Sequence, residues 1–489
     1  MQKIYVKPKD YWMNDPNGFI YYKGMYHLFY QCFPYGPRWG RMHWGHVVSK
    51  DLVNWEEQGI ALFPSKTDDR SGCFSGSAIE EDGKMQLYYT GVNYLTENPE
   101  DINLCVDEHF VSAQLMITSE DGIHFDNIKD KKTVIPVIHD ADIGDARHTR
   151  DPKVWKDGDR WYMVLGSTIN DKQGKLLFFT STDGEEWKFE NSVTRENFGW
   201  MWECPDYFEV DNSQVVIFSP MQLFKDGKAD DAQTVCMQVT FDKETCDMKL
   251  PEKYQFLDYG TDLYAPQSTL DESGRRILTA WLRMPEPVDG KWQGMMCIPR
   301  VVEVQKDHIY FRVHPNVQAV YTKEISEPSE ADESGYRLRF SLEDGDKVNV
   351  GGYVISREGN KICTDRSALF EKFPNHRVKF ETPELKDGFE IEAYVNRGGN
   401  LYISGPVGHP RLQKMLGIEV TGRTEHQFTY MRPTEAGKDI FEGFGSLTPL
   451  TVPMAQMTAR ITDPEGVTVL ATRVLPYTLT DTEDFAAIH

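Results

Sequence analysis

The chain has 489 residues, and at about 150 residues per domain this length predicts two to four domains, enough to bury a large core without disulfides or metal ions. Lys and Arg total 53 and Asp and Glu total 76, so the formal charge is −23, which argues against nucleic acids and anionic membranes as partners. The 38 glycines and 26 prolines are close to average usage, which excludes collagen-like and disordered chains.

The beginning of the chain contains no apolar stretch that resembles a signal peptide, and no run of 18 apolar residues follows anywhere. The eight cysteines are scattered and form no CxxC pair. We therefore expect a cytoplasmic protein with reduced thiols and no membrane span, the alternative being a chain given without its leader.

One pattern recurs five times in the first 300 residues: a β-prone run, a Gly- or Asp-containing turn, and a second β-prone run. Each occurrence predicts a β-hairpin. The hairpins cover residues 19–31, 76–91, 153–167, 207–220 and 268–282, with turns near Gly24, Gly83, Gly158, Asn212 and Gly274.

A second pattern, Ser-x-Asp-x-x-x-aromatic, falls between the hairpins, in residues 49–57, 118–126 and 181–190. Each copy would close an outer hairpin of the same unit. Four strands per unit and five units predict an all-β fold that starts with a five-bladed β-propeller, over residues 1–313. The alternative is a large β-sandwich with accidental spacing.

The pattern changes after Arg300. Residues 301–322 predict one more hairpin and a short helix, and 314–335 predict a linker, whose acidic, Ser- and Pro-containing part begins at residue 324. Alternating strands then predict a β-sandwich domain over 336–489. This domain carries no catalytic pattern, so we expect it to cover an edge of the propeller or to form a homo-oligomer contact.

Polar residues precede the five hairpin turns at nearly the same distance, namely Asp15, Ser75, Asp151, Glu203 and Tyr264. In a propeller the strand before each turn lines the central channel, so equivalent positions converge on one axis. Three of these five residues are acids. Like charges held this close shift each other's pKa and mark a candidate site.

Glycoside cleavage uses one carboxylate as nucleophile and a protonated carboxyl as acid. Glu203 lies between Trp202 and Cys204, and apolar burial keeps a carboxyl protonated, so it suits the acid. Asp15, beside polar Asn14, suits the ionised nucleophile. Asp151 follows Arg150, which should keep it ionised for binding hydroxyls or stabilising positive charge. The dispersed histidines show no metal-ligand spacing, so we expect neither metal nor cofactor.

The motifs WMNDPNG (12–18), FSGSA (74–78), RDPKVW (150–155) and WECPD (202–206) resemble, in order, those of glycoside hydrolase family 32, the invertases, sucrose-6-phosphate hydrolases and fructan hydrolases. The similarity extends over residues 10–320. It implies a five-bladed propeller with a C-terminal β-sandwich, and retaining cleavage of terminal β-fructofuranosides through a covalent fructosyl-enzyme.

By this resemblance Asp15 is the nucleophile, Asp151 stabilises the transition state and Glu203 is the acid/base. Further motif positions are implied to hold the terminal fructose: Asn14, Gln31, Trp39, Phe74, Ser75 and Arg150, with Trp281 added at the pocket wall. The chain departs from the family pattern at Cys32-Phe33-Pro34 and at Thr149, near the pocket rim.

The resemblance leaves the substrate open between sucrose, sucrose 6-phosphate and short fructooligosaccharides. Five cationic or titratable residues beside the motifs are candidates for binding a phosphate, or are solvated rim groups: Arg38, Arg41, His43, Arg147 and His148. Alternatives within the family are a fructan exo- or endohydrolase and a fructosyltransferase. Outside it are a pentosan hydrolase on a similar propeller, and a non-catalytic sugar-binding propeller, which the presence of all three acids disfavours.

Overall fold

The computed structural model describes residues 4–225, 228–230, 233–260, 262–322, 336–350, 352–370, 379–382, 391–395, 418–423, 429–433, 450–452, 457–461 and 471–474. Contacts divide the chain after Val320 into an N-terminal unit and a C-terminal unit. The described residues are mostly strands, with two four-residue helices, α1 (Pro315–Gln318) and α2 (Ser367–Phe370). Neither helix has the length or the apolar character needed to cross a membrane. The predicted all-β class is confirmed.

Five antiparallel sheets, each built on a path of four strands, form the described part of the N-terminal unit. The first three consist of β1 (Trp12–Tyr22), β2 (Met25–Phe33), β3 (His43–Ser49) and β4 (Trp55–Leu62); β5 (Gly72–Glu81), β6 (Lys84–Tyr94), β7 (Phe110–Ser119) and β8 (Lys132–Ile135); and β9 (Arg150–Asp157), β10 (Arg160–Ile169), β11 (Gln173–Ser181) and β12 (Lys188–Thr194).

The fourth sheet contains β13 (Met201–Val210) and β14 (Ser213–Met221), then, after a two-stranded ribbon of β15 (Leu223–Lys225) and β16 (Lys228–Asp230), β17 (Val235–Asp242), β18 (Asp247–Lys249) and β19 (Gln255–Phe256). The fifth contains β20 (Leu263–Leu270), β21 (Arg276–Leu282), β22 (Met295–Met296), β23 (Arg300–Gln305) and β24 (His308–Val313).

The five predicted hairpins are confirmed as the first two strands of the five sheets. Their turns contain residues with positive φ, for example Gly24 at 80° and Asn212 at 59°, where glycine and asparagine are tolerated best. The hairpin and helix predicted after Arg300 are also present, as β23, β24 and α1.

The Ser-x-Asp pattern closes the last hairpin of the first three sheets. In the first, the Ser49 hydroxyl accepts from the amide of Leu52 at 2.9 Å, and Asp51 Oδ1 accepts from the amide of Asn54 at 2.7 Å. The fourth sheet has a variant that the sequence reading missed. Asp242 accepts there from two turn amides, and buried Cys246 stands in the place of the aromatic residue.

Five apolar clusters hold the sheets together. Each lies between two consecutive sheets, and one contains residues of both the first and the fifth sheet, such as Leu28 and Ile277. The strands β1, β5, β9, β13 and β20 likewise contact one another in succession, and β20 contacts β1. The packing of the five sheets is therefore cyclic. Each large side chain buried in these clusters contributes about 1.5–3 kcal/mol.

The C-terminal unit is also built of antiparallel strands where it is described. They are β25 (Tyr336–Phe340), β26 (Lys347–Val350), β27 (Tyr353–Glu358), β28 (Lys361–Asp365), β29 (Lys379–Glu381), β30 (Ile391–Val395), β31 (Ile418–Arg423), β32 (Thr429–Pro433), β33 (Leu450–Val452), β34 (Met457–Ile461) and β35 (Ala471–Val474). The strands β26 to β29 form one sheet in chain order. Of the predicted linker 314–335, residues 315–318 form α1, and 323–335 lie outside the described residues.

Candidate active site

A β-bulge interrupts the first strand of every N-terminal sheet at the same point. In each case three residues of the strand span the distance that two residues span on its partner. Bulges redirect side chains and are common beside active sites. The bulged residues are Asn14–Asp15, Phe74–Ser75, Asp151–Pro152, Cys204–Pro205 and Ala265–Pro266.

The bulges bring Asp15, Ser75, Asp151 and Cys204 together. The Ser75 hydroxyl donates to Asp15 Oδ2 at 2.6 Å. The Cys204 Sγ lies 3.5 Å from Asp15 Oδ2 and 3.5 Å from Asp151 Oδ2, so these two carboxylate oxygens are no more than twice that distance apart. The Cys204 amide donates to Asp151 at 2.9 Å, and the Asp151 amide donates to the Thr90 hydroxyl at 2.9 Å.

Asp151 and Cys204 adopt positive φ, 65° and 47°. A residue other than glycine in this region costs about 1–3 kcal/mol and persists only where its surroundings enforce it. Here the hydrogen bond from the Cys204 amide to Asp151 links the two strained positions.

Arg150, Glu203 and Tyr264 occupy the position just before the bulge in the third, fourth and fifth sheets, and they bind one another. Arg150 donates to Glu203 Oε1 from Nη2 at 2.8 Å and from Nε at 3.2 Å. The Tyr264 hydroxyl donates to Glu203 Oε2 at 2.5 Å. The nearly equivalent positions expected from counting back from the turns are therefore not equivalent: Glu203 and Tyr264 precede the bulge, Asp151 is its first residue, and Asp15 is its second.

The surroundings expected for Glu203 are also wrong. Its neighbour Trp202 is fully buried and stacks on Phe218, at a centroid distance of 4.4 Å, while Glu203 itself faces Arg150 and Tyr264. Successive side chains of a strand point to opposite faces, so an apolar neighbour in sequence does not imply apolar surroundings.

Burial and mutual repulsion govern the carboxyl groups. Burial raises the pKa of Asp15 above its ordinary value, and the charge of Glu203 adds to this, while the Ser75 hydrogen bond opposes it. Burial likewise raises the pKa of Asp151 to about 7, against the lowering effect of Arg150. The guanidinium of Arg150, expected from the sequence to pair with Asp151, makes its hydrogen bonds to Glu203 instead.

The space beneath the acids is too small for a sugar. Four prolines, one in each of four bulge regions, line it together with Gln267 and the site residues, and its volume is about 10 Å³, room for about one water. Below it Lys153 pairs with Asp206 at 3.1 Å and Gln267 donates to the carbonyl of Gly76 at 2.7 Å. These bonds join different sheets, so they fix the floor. We infer that a ligand reaches the acids from one side only.

The remaining predicted residues surround this centre. Trp12 Nε1 donates to Asn14 Oδ1 at 2.8 Å. The Trp39 ring, about a third exposed, packs edge-on against Phe74, and the Trp281 ring packs edge-on against Trp12 and Tyr264.

Gln31 is buried, and its amide donates to the carbonyl of Cys73 at 2.9 Å. It therefore supports the strand that carries Ser75, and its contact with a sugar stays a prediction.

The sequence analysis placed Tyr264 at the channel axis but gave it no role, and it did not select Cys204 or Thr90 as site residues. The dipeptides Asp151–Pro152, Cys204–Pro205 and Ala265–Pro266 form equivalent bulges. Aligning the strands on these dipeptides would have placed Tyr264 at the same position as Arg150 and Glu203. Thr90 comes from the second strand of its sheet, and its sequence surroundings carry no signal.

One further acidic group lies near Arg150. Candidate ligand atoms of Asp145, His148 and Asp171 lie within 4.8 Å of one another. Arg147 already binds this group, with Nη2 2.5 Å from Asp171 and Nε 3.8 Å from Asp145. A resident cation thus balances part of its charge, and the absence of a metal stays a prediction.

Comparison with known proteins agrees with the geometry. The family model of the glycosyl hydrolases family 32 N-terminal domain matches residues 5–315. The chain therefore belongs to glycosyl hydrolase family 32.

Among its relatives, a sucrose-6-phosphate hydrolase of Zymomonas mobilis is 39% identical over 62% of this chain and 59% of its own length. A raffinose invertase of Escherichia coli is 37% identical over 61% of each chain. The matched stretch thus spans about three fifths of these relatives. A solved structure, the family 32 β-fructofuranosidase of Bombyx mori, superposes with a TM-score of 0.68 at 30% identity and covers 80% of this chain and 84% of that one.

Proposed function

We propose that this chain is a five-bladed β-propeller with a C-terminal β-sandwich, and that it hydrolyses terminal β-fructofuranosides with retention of configuration. The cyclic packing of five sheets supports the propeller. The observation that carries the function is that Asp15, Asp151 and Glu203 lie together, next to the guanidinium of Arg150 and above a space too small for a sugar.

In the proposed first step, Asp15 attacks the anomeric carbon of the fructosyl group while Glu203 gives its proton to the departing glycosidic oxygen. The bond to the leaving sugar breaks as the ester to Asp15 forms. Asp151 stabilises the positive charge that develops on the fructosyl ring. In the second step Glu203 takes a proton from water, the water attacks the same carbon, and Asp15 leaves as a carboxylate.

The first step needs an ionised Asp15 and a protonated Glu203. Burial and the charge of Glu203 raise the pKa of Asp15 and of Asp151, so the site favours a proton on these two buried carboxyl groups. Asn14, Gln31, Trp39, Phe74, Ser75, Arg150 and Trp281 are the proposed fructose-binding residues.

We propose sucrose, sucrose 6-phosphate and short fructooligosaccharides as the substrate range, and two relatives are named for sucrose 6-phosphate and for raffinose. The proposal includes a cytoplasmic location, no cofactor, and the C-terminal unit as the surface of any homo-oligomer. The domain limits at 313 and 336 remain predictions.

The test compares Glu203→Gln with Glu209→Gln, a control on the same strand whose carboxylate binds surface Lys243 at 2.8 Å. We expect Glu203→Gln to lower kcat on sucrose by at least about a thousandfold with unchanged circular dichroism, because the acid/base is lost. Glu209→Gln should stay within twofold.

Proton NMR of the first product formed by the wild type should show the β-fructofuranose anomer. An α-anomer would refute retention. Full activity of Glu203→Gln would refute the acid assignment.

A further inference from the structure

Cationic side chains lie at the open end of the site. Whether they are free to bind a phosphate determines whether the departing sugar can carry one. The space beneath the acids is too small for a sugar, so the terminal fructose must bind against the acids from the open side. The departing sugar then lies further out on that side, which we call the mouth of the site. The segments at this end are residues 34–42, 95–109 and 136–149, which connect to β2, β6 and β9 at the ends that bear the site. We call their charged residues the leaving-group rim.

Two arginines of the rim are bound by acids of the facing segment. Arg38 Nη1 lies 2.9 Å from Asp101 Oδ2, and Arg41 Nη2 lies 2.6 Å from Glu97 Oε1. Arg41 Nε also donates to the carbonyl of Ile102 at 2.9 Å. These bonds join residues 34–42 to residues 95–109 and use the arginines as cross-links.

The third arginine has an excess of acids around it. Arg147 contacts Asp171, Asp145 and Glu108, at 2.5, 3.8 and 3.7 Å. His148 is buried, and its pKa is lowered by burial and by Arg150, so it adds no charge at neutral pH. His43 is likewise buried with a lowered pKa.

The ion pairs at the rim therefore carry a net negative charge. The three arginines pair with four rim carboxylates, Glu97, Asp101, Glu108 and Asp145, and Arg147 also pairs with Asp171 in the turn after β10. Each exposed ion pair is weak by itself, about 0–1 kcal/mol, so a phosphate could displace a carboxylate. The displaced carboxylate would stay beside the phosphate dianion, however, and the chain's charge of −23 adds to the repulsion.

We propose that this enzyme selects an uncharged leaving group, such as the glucosyl or galactosyl-glucosyl part of a neutral oligosaccharide, and that Glu97 and Asp101 determine this selection by occupying Arg41 and Arg38. The inference rests on the proposed function and narrows its substrate class. It separates this chain from relatives named for sucrose 6-phosphate.

The experiment measures kcat/KM for fructose release from sucrose and from sucrose 6-phosphate. The wild type should use sucrose at least as well as the phosphate. Glu97→Gln and Asp101→Asn should raise kcat/KM for sucrose 6-phosphate by about three- to tenfold and leave that for sucrose within twofold, since only a charged leaving group feels the removed charge. Asp126→Asn, which loses a surface pair with Lys129 in the turn before β8, is the matched control and should change neither value.

A tenfold or greater preference of the wild type for sucrose 6-phosphate would overturn the inference. Arg283, whose guanidinium lies 5.6 Å from the Tyr264 ring centroid, would then be the cation to replace first. An unchanged substrate ratio in both rim variants would overturn the role of Glu97 and Asp101. If neither sucrose nor sucrose 6-phosphate released fructose, the proposed function itself would be refuted, and this inference with it.

Discussion

Replacing Tyr264 by phenylalanine isolates one hydrogen bond to the proposed acid/base. The Tyr264 hydroxyl donates to Glu203 Oε2 at 2.5 Å, and its other acceptor, the carbonyl of Ser219, is more distant at 3.4 Å. Burial and the charge of Glu203 raise the pKa of Tyr264 well above its ordinary value, so the hydroxyl stays protonated and keeps donating.

The magnitude follows from the type of bond. A hydrogen bond to a charged group contributes about 1.5–3 kcal/mol, which corresponds to a decrease in kcat/KM of about 10- to 150-fold. We expect a decrease in kcat/KM in this range because the bond positions Glu203 in the transition state. The assay is fructose release from sucrose, with the urea midpoint measured on the same samples.

Tyr89→Phe provides the matched control. Tyr89 is also buried and donates to a carboxylate, Asp69, at 2.8 Å, behind the site. Both variants should lose similar stability, and only Tyr264→Phe should lose activity by more than tenfold. Retention of activity within twofold in Tyr264→Phe, or an equal loss in Tyr89→Phe, would refute the reasoning.

Three other outcomes are expected. Asp69→Asn should lower the free energy of unfolding by about 3–5 kcal/mol in urea titrations, because it leaves the buried Lys131 ammonium without its carboxylate; a loss below 1 kcal/mol would contradict this. Burial lowers the pKa of His27 to about 4, whereas in the unfolded chain it has its ordinary value of about 6.5. Between these pH values the unfolded chain binds more protons, so the free energy of unfolding should fall by about 3 kcal/mol from pH 6.5 to pH 4. The variant His27→Gln should show a smaller fall, and an identical fall would contradict this prediction. Dialysis against EDTA should leave kcat on sucrose unchanged, and a marked loss would indicate an essential metal.

The β-strand order of the N-terminal unit was readable from sequence because its signals are local. Turn residues at Gly24, Gly83 and Gly158 sit between runs of β-prone residues, and the Ser-x-Asp turn marks the outer hairpins. The variant around Cys246 was missed because a cysteine occupies the position at which the pattern has an aromatic residue.

The contacts within the site were less predictable, because they depend on bulges. One extra residue in a strand moves the following side chains to the other face. Counting from the turns therefore selected the acids but misjudged their partners, and Arg150 was assigned to Asp151 when it binds Glu203. The pKa of Asp151 depends on burial by residues from several sheets, which no local pattern reveals.

The strain at Asp151 and Cys204 indicates how the site keeps its geometry. Both positive φ values lie in bulges whose prolines close the floor, and the strained residues share a hydrogen bond. The strained backbone lowers the stability of the fold, but it holds the carboxylates of Asp15 and Asp151 next to Cys204 Sγ. Such positioning is what a mechanism with a nucleophile and a separate stabilising acid requires.

The central claim is that Asp15 forms an ester with the fructosyl group, and trapping this ester tests it most directly. Wild type and Asp15→Asn would be mixed with sucrose, quenched in acid within milliseconds, digested and analysed by mass spectrometry. We expect a mass increase of one fructosyl group on the wild-type peptide that contains Asp15, and none in Asp15→Asn. A fructosyl group on a peptide with Asp151 or Glu203 instead would show that Asp15 is not the nucleophile.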